Sequence, residues 1–205
     1  MPGLGRRDLS RALGELERIG ILLQHDAVLP SFTGIALGES IRGSWWAHPR
    51  ANDLYDLLQA FRREAGGLSL KLVNGKLTFV AERLWPAVAV LGRGRAGWQR
   101  DGLSEAAGAL LLRVRRSGRL RADWIDFVDP TSLPKAVAEL ERRLLLHVEA
   151  FHSEAGAHHK LLRSWPRFFA DSGRRPASWP GARATRALAE AVDALAEGRR
   201  VRVPW

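Results

Sequence analysis

With 205 residues, 46% of them apolar, the chain can bury a sizeable core as one domain or as two small ones, which excludes a disordered protein. The absence of cysteine excludes disulfides and thiolate metal sites and fits a reducing cytoplasm, and no apolar run approaches the roughly 20 residues that span a bilayer. The formal charge of +10 is almost all arginine, since Lys71, Lys76, Lys135 and Lys160 are the only lysines among 32 cationic residues, and it makes nucleic acid the first partner to expect.

Leu9, Leu13, Leu16, Ile19 and Leu23 follow a helical spacing, which predicts a first helix over residues 7–24. Residues 27–49 contain Pro30, Gly34, Gly38 and Gly43 and read as an ordered loop with at most a short helical turn, pinned to a core by Trp45 and Trp46. Leu54, Leu57, Leu58 and Phe61 predict a second helix that stops at Gly66-Gly67. Asn74-Gly75 between Leu70-Lys71-Leu72 and Leu77-Thr78-Phe79 predicts a hairpin, because both turn residues tolerate positive φ. A helix or turn over 84–91 leads to a glycine-rich, basic boundary at 92–102.

Beyond that boundary Ser104 is placed to cap a helix carrying Ala107, Leu110, Leu111 and Val114, which stops at Ser117-Gly118. Residues 120–127 are long enough for two helical turns, broken by Asp129-Pro130. Ser132 is expected to cap a third helix with an apolar stripe of Leu133, Val137, Leu140 and Leu144. Residues 144–152 and 157–162 then bracket Glu154-Ala155-Gly156, the turn of a hairpin wing. A basic, proline-interrupted link at 173–181 leads into an amphipathic helix with Leu188, Val192 and Leu195, and then to Arg199-Arg200-Val201-Arg202. The expected fold is mainly α with small β-hairpins, in a tandem winged-helix architecture. Its parts are an N-terminal module over 1–97, a better-defined module over 98–172, and a linker and C-terminal helix over 173–205.

Gly43-Ser44-Trp45-Trp46-Ala47-His48-Pro49, the strip from Lys71 through Asn74-Gly75 to Val80, and Arg83-Leu84-Trp85-Pro86 resemble a group of uncharacterised bacterial winged-helix proteins. That group is distantly related to the winged-helix DNA glycosylases that excise alkylated or crosslinked purines. The strip from His147-Val148-Glu149 to His158 is similar to the same group, and together the matches touch most of 43–165. The resemblance implies DNA binding associated with repair, and as an alternative a monofunctional glycosylase. In those enzymes a glutamine-hydrophobic-glutamine or glutamine-hydrophobic-aspartate motif positions the attacking water. Gln24-His25-Asp26 matches it except at the middle residue, so Gln24 and Asp26 are the catalytic candidates that the resemblance implies. An aspartate there would stabilise a developing oxocarbenium cation and orient water held by the glutamine.

For DNA binding, the third helix of a winged helix enters the major groove and the wing meets backbone or minor groove. The candidate contacts are Lys135, Arg142 and Arg143 on that helix, and His158, His159, Lys160 and Arg163 on the wing. Glu139 and Glu141 on the same helix would repel phosphates if they faced them. Six to ten phosphate contacts would lower affinity by roughly 10³ to 10⁵ between 50 and 200 mM salt. His147, Glu149, His152, His158 and His159 cluster by strand spacing, but His158 and His159 point to opposite faces, and neither metal nor cofactor is expected. Trp165, Phe168 and Phe169 are expected to pack in a core and not to stack on bases. A third reading is a protein-interaction module using Trp45-Trp46 or the C-terminal helix as an apolar docking face.

Overall fold

A computed structural model describes residues 3–94, 96–126, 131–152 and 158–205. The chain is mainly helical with two three-stranded antiparallel sheets. It divides into two compact units, Met1–Trp85 with Thr185–Val203, and Pro86–Ala184 with Pro204–Trp205. The boundary read from sequence lay at 97/98. Helices α4 (Trp85–Leu91) and α9 (Gly181–Ala196) each run through a point of division.

In the first unit α1 (Arg6–Ile19) buries Leu9, Ala12, Leu16 and Ile19 along one face. It stops at Gly20, whose φ of 96° lets its N–H return to the Leu16 carbonyl at 2.7 Å. The expected continuation to residue 24 is therefore corrected: Ile21–Leu23 is a strand, β1. All three of its residues are buried, a pattern that a surface helix cannot satisfy but a covered strand can. The glycine-rich loop contains more helix than its composition indicates, namely α2 (Phe32–Leu37), where Ser31 accepts from the Gly34 N–H, and a single 3₁₀ turn at Trp45–Ala47.

Helix α3 (Ala51–Glu64) follows, and then β2 (Ser69–Val73) and β3 (Lys76–Val80) form the expected hairpin. Asn74 at φ 54° and Gly75 at φ 69° make the two-residue turn. Strand β3 lies between β1 and β2, with Leu22 opposite Phe79 and Leu70 opposite Thr78. Phe61 holds the core together, its ring 4.9 Å from both Phe32 and Phe79. Trp45 is buried as expected, whereas Trp46 stacks on it at 4.1 Å and remains 56% exposed.

The second unit contains the short α5 (Gly97–Arg100), then α6 (Glu105–Ser117), whose N-cap Ser104 accepts from the Ala107 N–H as predicted. Residues 119–124 correct another expectation. They form β4 (Arg119–Arg121) and one 3₁₀ turn at Ala122–Trp124, because Leu120 alternates with two arginines and pairs with Leu162 as part of a sheet. The Asp129-Pro130 break lies outside the described residues.

Helix α7 (Ser132–Arg142) follows Thr131, which takes the N-cap position assigned to Ser132. The stripe leaves the helix before Leu144: that residue sits at φ 54°, and Leu145 N–H bonds the Leu140 carbonyl at 2.9 Å, closing the helix in a Schellman turn. Burial of Leu144 and Leu145 holds a left-handed conformation that glycine usually takes. Strands β5 (His147–His152) and β6 (His158–Arg163) then pair, with β4 on the free side of β6, giving the order β4-β6-β5. The expected wing turn at 154–156 lies outside the described residues. Helix α8 (Trp165–Asp171) packs Trp165, Phe168 and Phe169 inward, as the sequence predicted. Each unit thus runs helix, strand, helix, hairpin, with the first strand added to the last.

Candidate nucleic-acid interface

Helix α7 is tied through its C-terminal half to the segment that precedes α6. Toward its C-terminus, the Arg143 guanidinium donates to the carbonyls of Trp98, Asp101 and Gly102 at 3.1, 2.8 and 3.2 Å, and its Nε lies 3.3 Å from Glu139. Arg143, the residue that caps α7, therefore holds α5 and the turn after it against that helix. Glu139 accepts from the backbone N–H of Ser104 at 3.2 Å and from its hydroxyl at 2.6 Å. Burial pushes the Glu139 carboxyl up, but the Ser104 hydrogen bonds, with Arg143 and Arg142 nearby, outweigh it and hold it below the ordinary value. Glu141 is buried. Of the two carboxylates that would have opposed phosphates, Glu141 is therefore out of reach, while Glu139 shares the solvent-facing stripe with Lys135 and Arg142 but is half-buried and engaged by Ser104 and Arg143; Lys135 and Arg142 are exposed.

The hairpin residues separate in the same way. Arg163 reaches Glu149 across the sheet at 2.8 Å and Asp171 of α8 at 3.6 Å. His159 Nδ1 lies 3.3 Å from Asp123, while Lys160 is exposed. The His158 side chain lies outside the described part. His147 is buried with its ring 4.1 Å from that of Phe168 and edge-on to Trp165, and its Nδ1 has no hydrogen-bond partner. Desolvation, with the Arg163 charge beside it, pushes His147 down to about 3, so it is a neutral core residue at ordinary pH. No group of three or more histidines and carboxylates suited to holding a metal occurs among the described residues.

Gln24-His25-Asp26 lies in the first unit, just after β1, and each side chain is engaged in holding loops. Gln24 accepts from Arg62 at 2.9 Å. The His25 ring bridges the Thr33 hydroxyl and the Gly43 carbonyl, both at 2.8 Å. One Asp26 oxygen accepts from the N–H groups of Val28 and Leu29 at 2.8 and 2.9 Å, and the other accepts from Lys76 Nζ at 2.7 Å. Burial raises the Asp26 pKa, but Lys76 and the two backbone donors outweigh it and leave the carboxyl below its usual value. These contacts account for the carboxylate without a substrate.

Sequence reasoning missed Trp124, the most exposed large apolar side chain described, at 70%. The Arg121 guanidinium lies 4.3 Å from its ring centroid and is itself held by Asp123 in a two-bond fork at 3.2 and 2.7 Å. The available signal was its place: a tryptophan amid Arg119, Arg121 and Asp123, away from any apolar stripe. The solvent face of α3 in the first unit is different, since it exposes Asp53, Tyr55 and Asp56. Neither family models, nor curated proteins, nor solved structures match this chain.

Proposed function

We propose that both units are winged-helix modules and that the second binds duplex DNA, with α7 in the major groove and the β5–β6 hairpin against the backbone. The order of elements supports the architecture: helix, first strand, a further helix, and a hairpin whose last strand takes the first strand as its neighbour. The observation that carries the functional reading is the sorting of charges on α7. Glu141 is buried and Glu139, on the same stripe, is neutralised by Arg143 and bonded to Ser104, so Lys135 and Arg142 are the exposed charges of that face in a chain of net charge +10. Lys160 extends the same sign onto the hairpin. Arg143, Arg163 and His159 position these contacts through their own protein partners.

The test is fluorescence anisotropy with a labelled duplex across a salt series. Lys135→Ala and Arg142→Ala should each weaken binding on every sequence and reduce the salt slope by about one. An absence of duplex binding at roughly 50 mM salt, where phosphate contacts are strongest, defeats the reading.

A further inference from the structure

We propose that Trp124 is a stacking platform for an unpaired nucleobase of a single strand, a site separate from the duplex-facing surface of α7. The inference rests on the nucleic-acid reading above and adds the class of ligand. Four observations point to it. The indole is 70% exposed, with the Arg121 guanidinium over its ring at 4.3 Å from the centroid. Its mount is fixed on both sides, because Arg121 is locked in a fork with Asp123 and the next residue, Ile125, is buried in the core. A ring held in place loses little freedom when a ligand stacks on it.

Third, the surroundings suit a phosphodiester. The 3₁₀ turn packs beside β6, where Lys160 is exposed, and follows β4, where Arg119 is exposed. Asp123 and Asp126 are the nearest carboxylates in sequence: the first is already satisfied by Arg121 and His159, and the second is exposed, against the exposed cations Arg119 and Lys160. Fourth, the other exposed tryptophan lacks this setting. Trp46 lies against Trp45 and Tyr55, on a helix face that carries Asp53 and Asp56, and those carboxylates would repel a phosphate chain. Stacking on an exposed ring needs a base whose π-face is free, which an unpaired base offers and a base inside a duplex does not.

The whole chain would be titrated, by anisotropy, against labelled oligothymidylate, oligouridylate and a random-sequence duplex. Trp124→Ala should weaken single-strand binding by about 5- to 100-fold, the usual range for one lost base stack, and leave duplex affinity within about twofold. Trp124→Phe should retain most of the single-strand affinity. Equal losses with oligothymidylate and oligouridylate mean that the base face is read whatever the sugar; a loss confined to one of them ties the platform to that class of strand. Because the side chain is exposed, neither substitution removes core contacts. Unchanged single-strand binding in Trp124→Ala, or an equal loss on the duplex, overturns the inference. Wild-type protein that binds duplex but no single strand overturns it alone, whereas wild type that binds neither defeats the nucleic-acid reading as well.

Discussion

Asp26 gathers two backbone N–H groups and a lysine around one buried carboxylate. Asp26→Ala leaves the buried Leu29 N–H without its acceptor and hands Lys76 and the Val28 N–H back to water, so we expect a loss of about 1–3 kcal/mol in folding stability, read as a lower urea midpoint. A variant as stable as wild type that has lost some catalytic activity would reverse this assignment. His147 makes a prediction about pH. The unfolded chain takes up a proton near 6.5 and the folded one only near 3, so stability falls as pH is lowered through that window. The slope is up to about 1.4 kcal/mol per pH unit. Urea midpoints at pH 7.5 and 5.5 should differ more in wild type than in His147→Leu; equal differences would show that the ring is not held neutral. Gln24-His25-Asp26 was legible as polar residues of interest, but their partners Arg62, Gly43 and Lys76 stand between 18 and 50 positions away, and no local pattern announces them.

At the scale of elements, the helices with long apolar stripes and the Asn74-Gly75 hairpin were readable because their signals are local. Strands β1 and β4 were not. Each is three residues long and exists through pairing with β3 or β6, more than 35 residues further along the chain, so neither carries a period of its own. On α7 the adjacent pair Arg142 and Arg143 separates position from contact. We expect Arg143→Ala to lower the melting temperature by releasing α5 and the turn after it, and Arg142→Ala to leave it unchanged while weakening DNA binding. The opposite pattern would exchange their roles. Ser104 links α6 to α7 because its hydroxyl both accepts from Ala107 and donates to Glu139. Ser104→Ala should therefore cost about 1–2 kcal/mol, non-additively with Glu139→Ala in a double-mutant cycle of denaturant midpoints.

For the whole molecule, net charge overstates the surface available to phosphates. Arg62, Arg83, Arg143 and Arg163 each have protein acceptors, and Arg6, Arg11, Arg18 and Arg167 lie beside carboxylates. With Lys135, Arg142 and Lys160 as the principal contacts, the salt slope on duplex DNA should be about −2.7, which lowers affinity roughly 40-fold between 50 and 200 mM salt. A slope of −6 or steeper would mean that the wider arginine surface takes part. Composition announced the sign of the charge, but only packing sorts arginines that tie loops from those that face water.

The first unit is completed by a segment far along the chain: Asn74 at the hairpin turn binds Arg202 twice, its N–H donating to the Arg202 carbonyl at 2.8 Å and its side-chain oxygen accepting the Arg202 N–H at 2.9 Å. Residues 185–203 belong to that unit, so residues 1–85, although synthesised earlier, are completed only after all of 86–184 has been made. The second unit lacks only its two C-terminal residues when Ala184 emerges, so it can begin folding while the first is still waiting for its last helix.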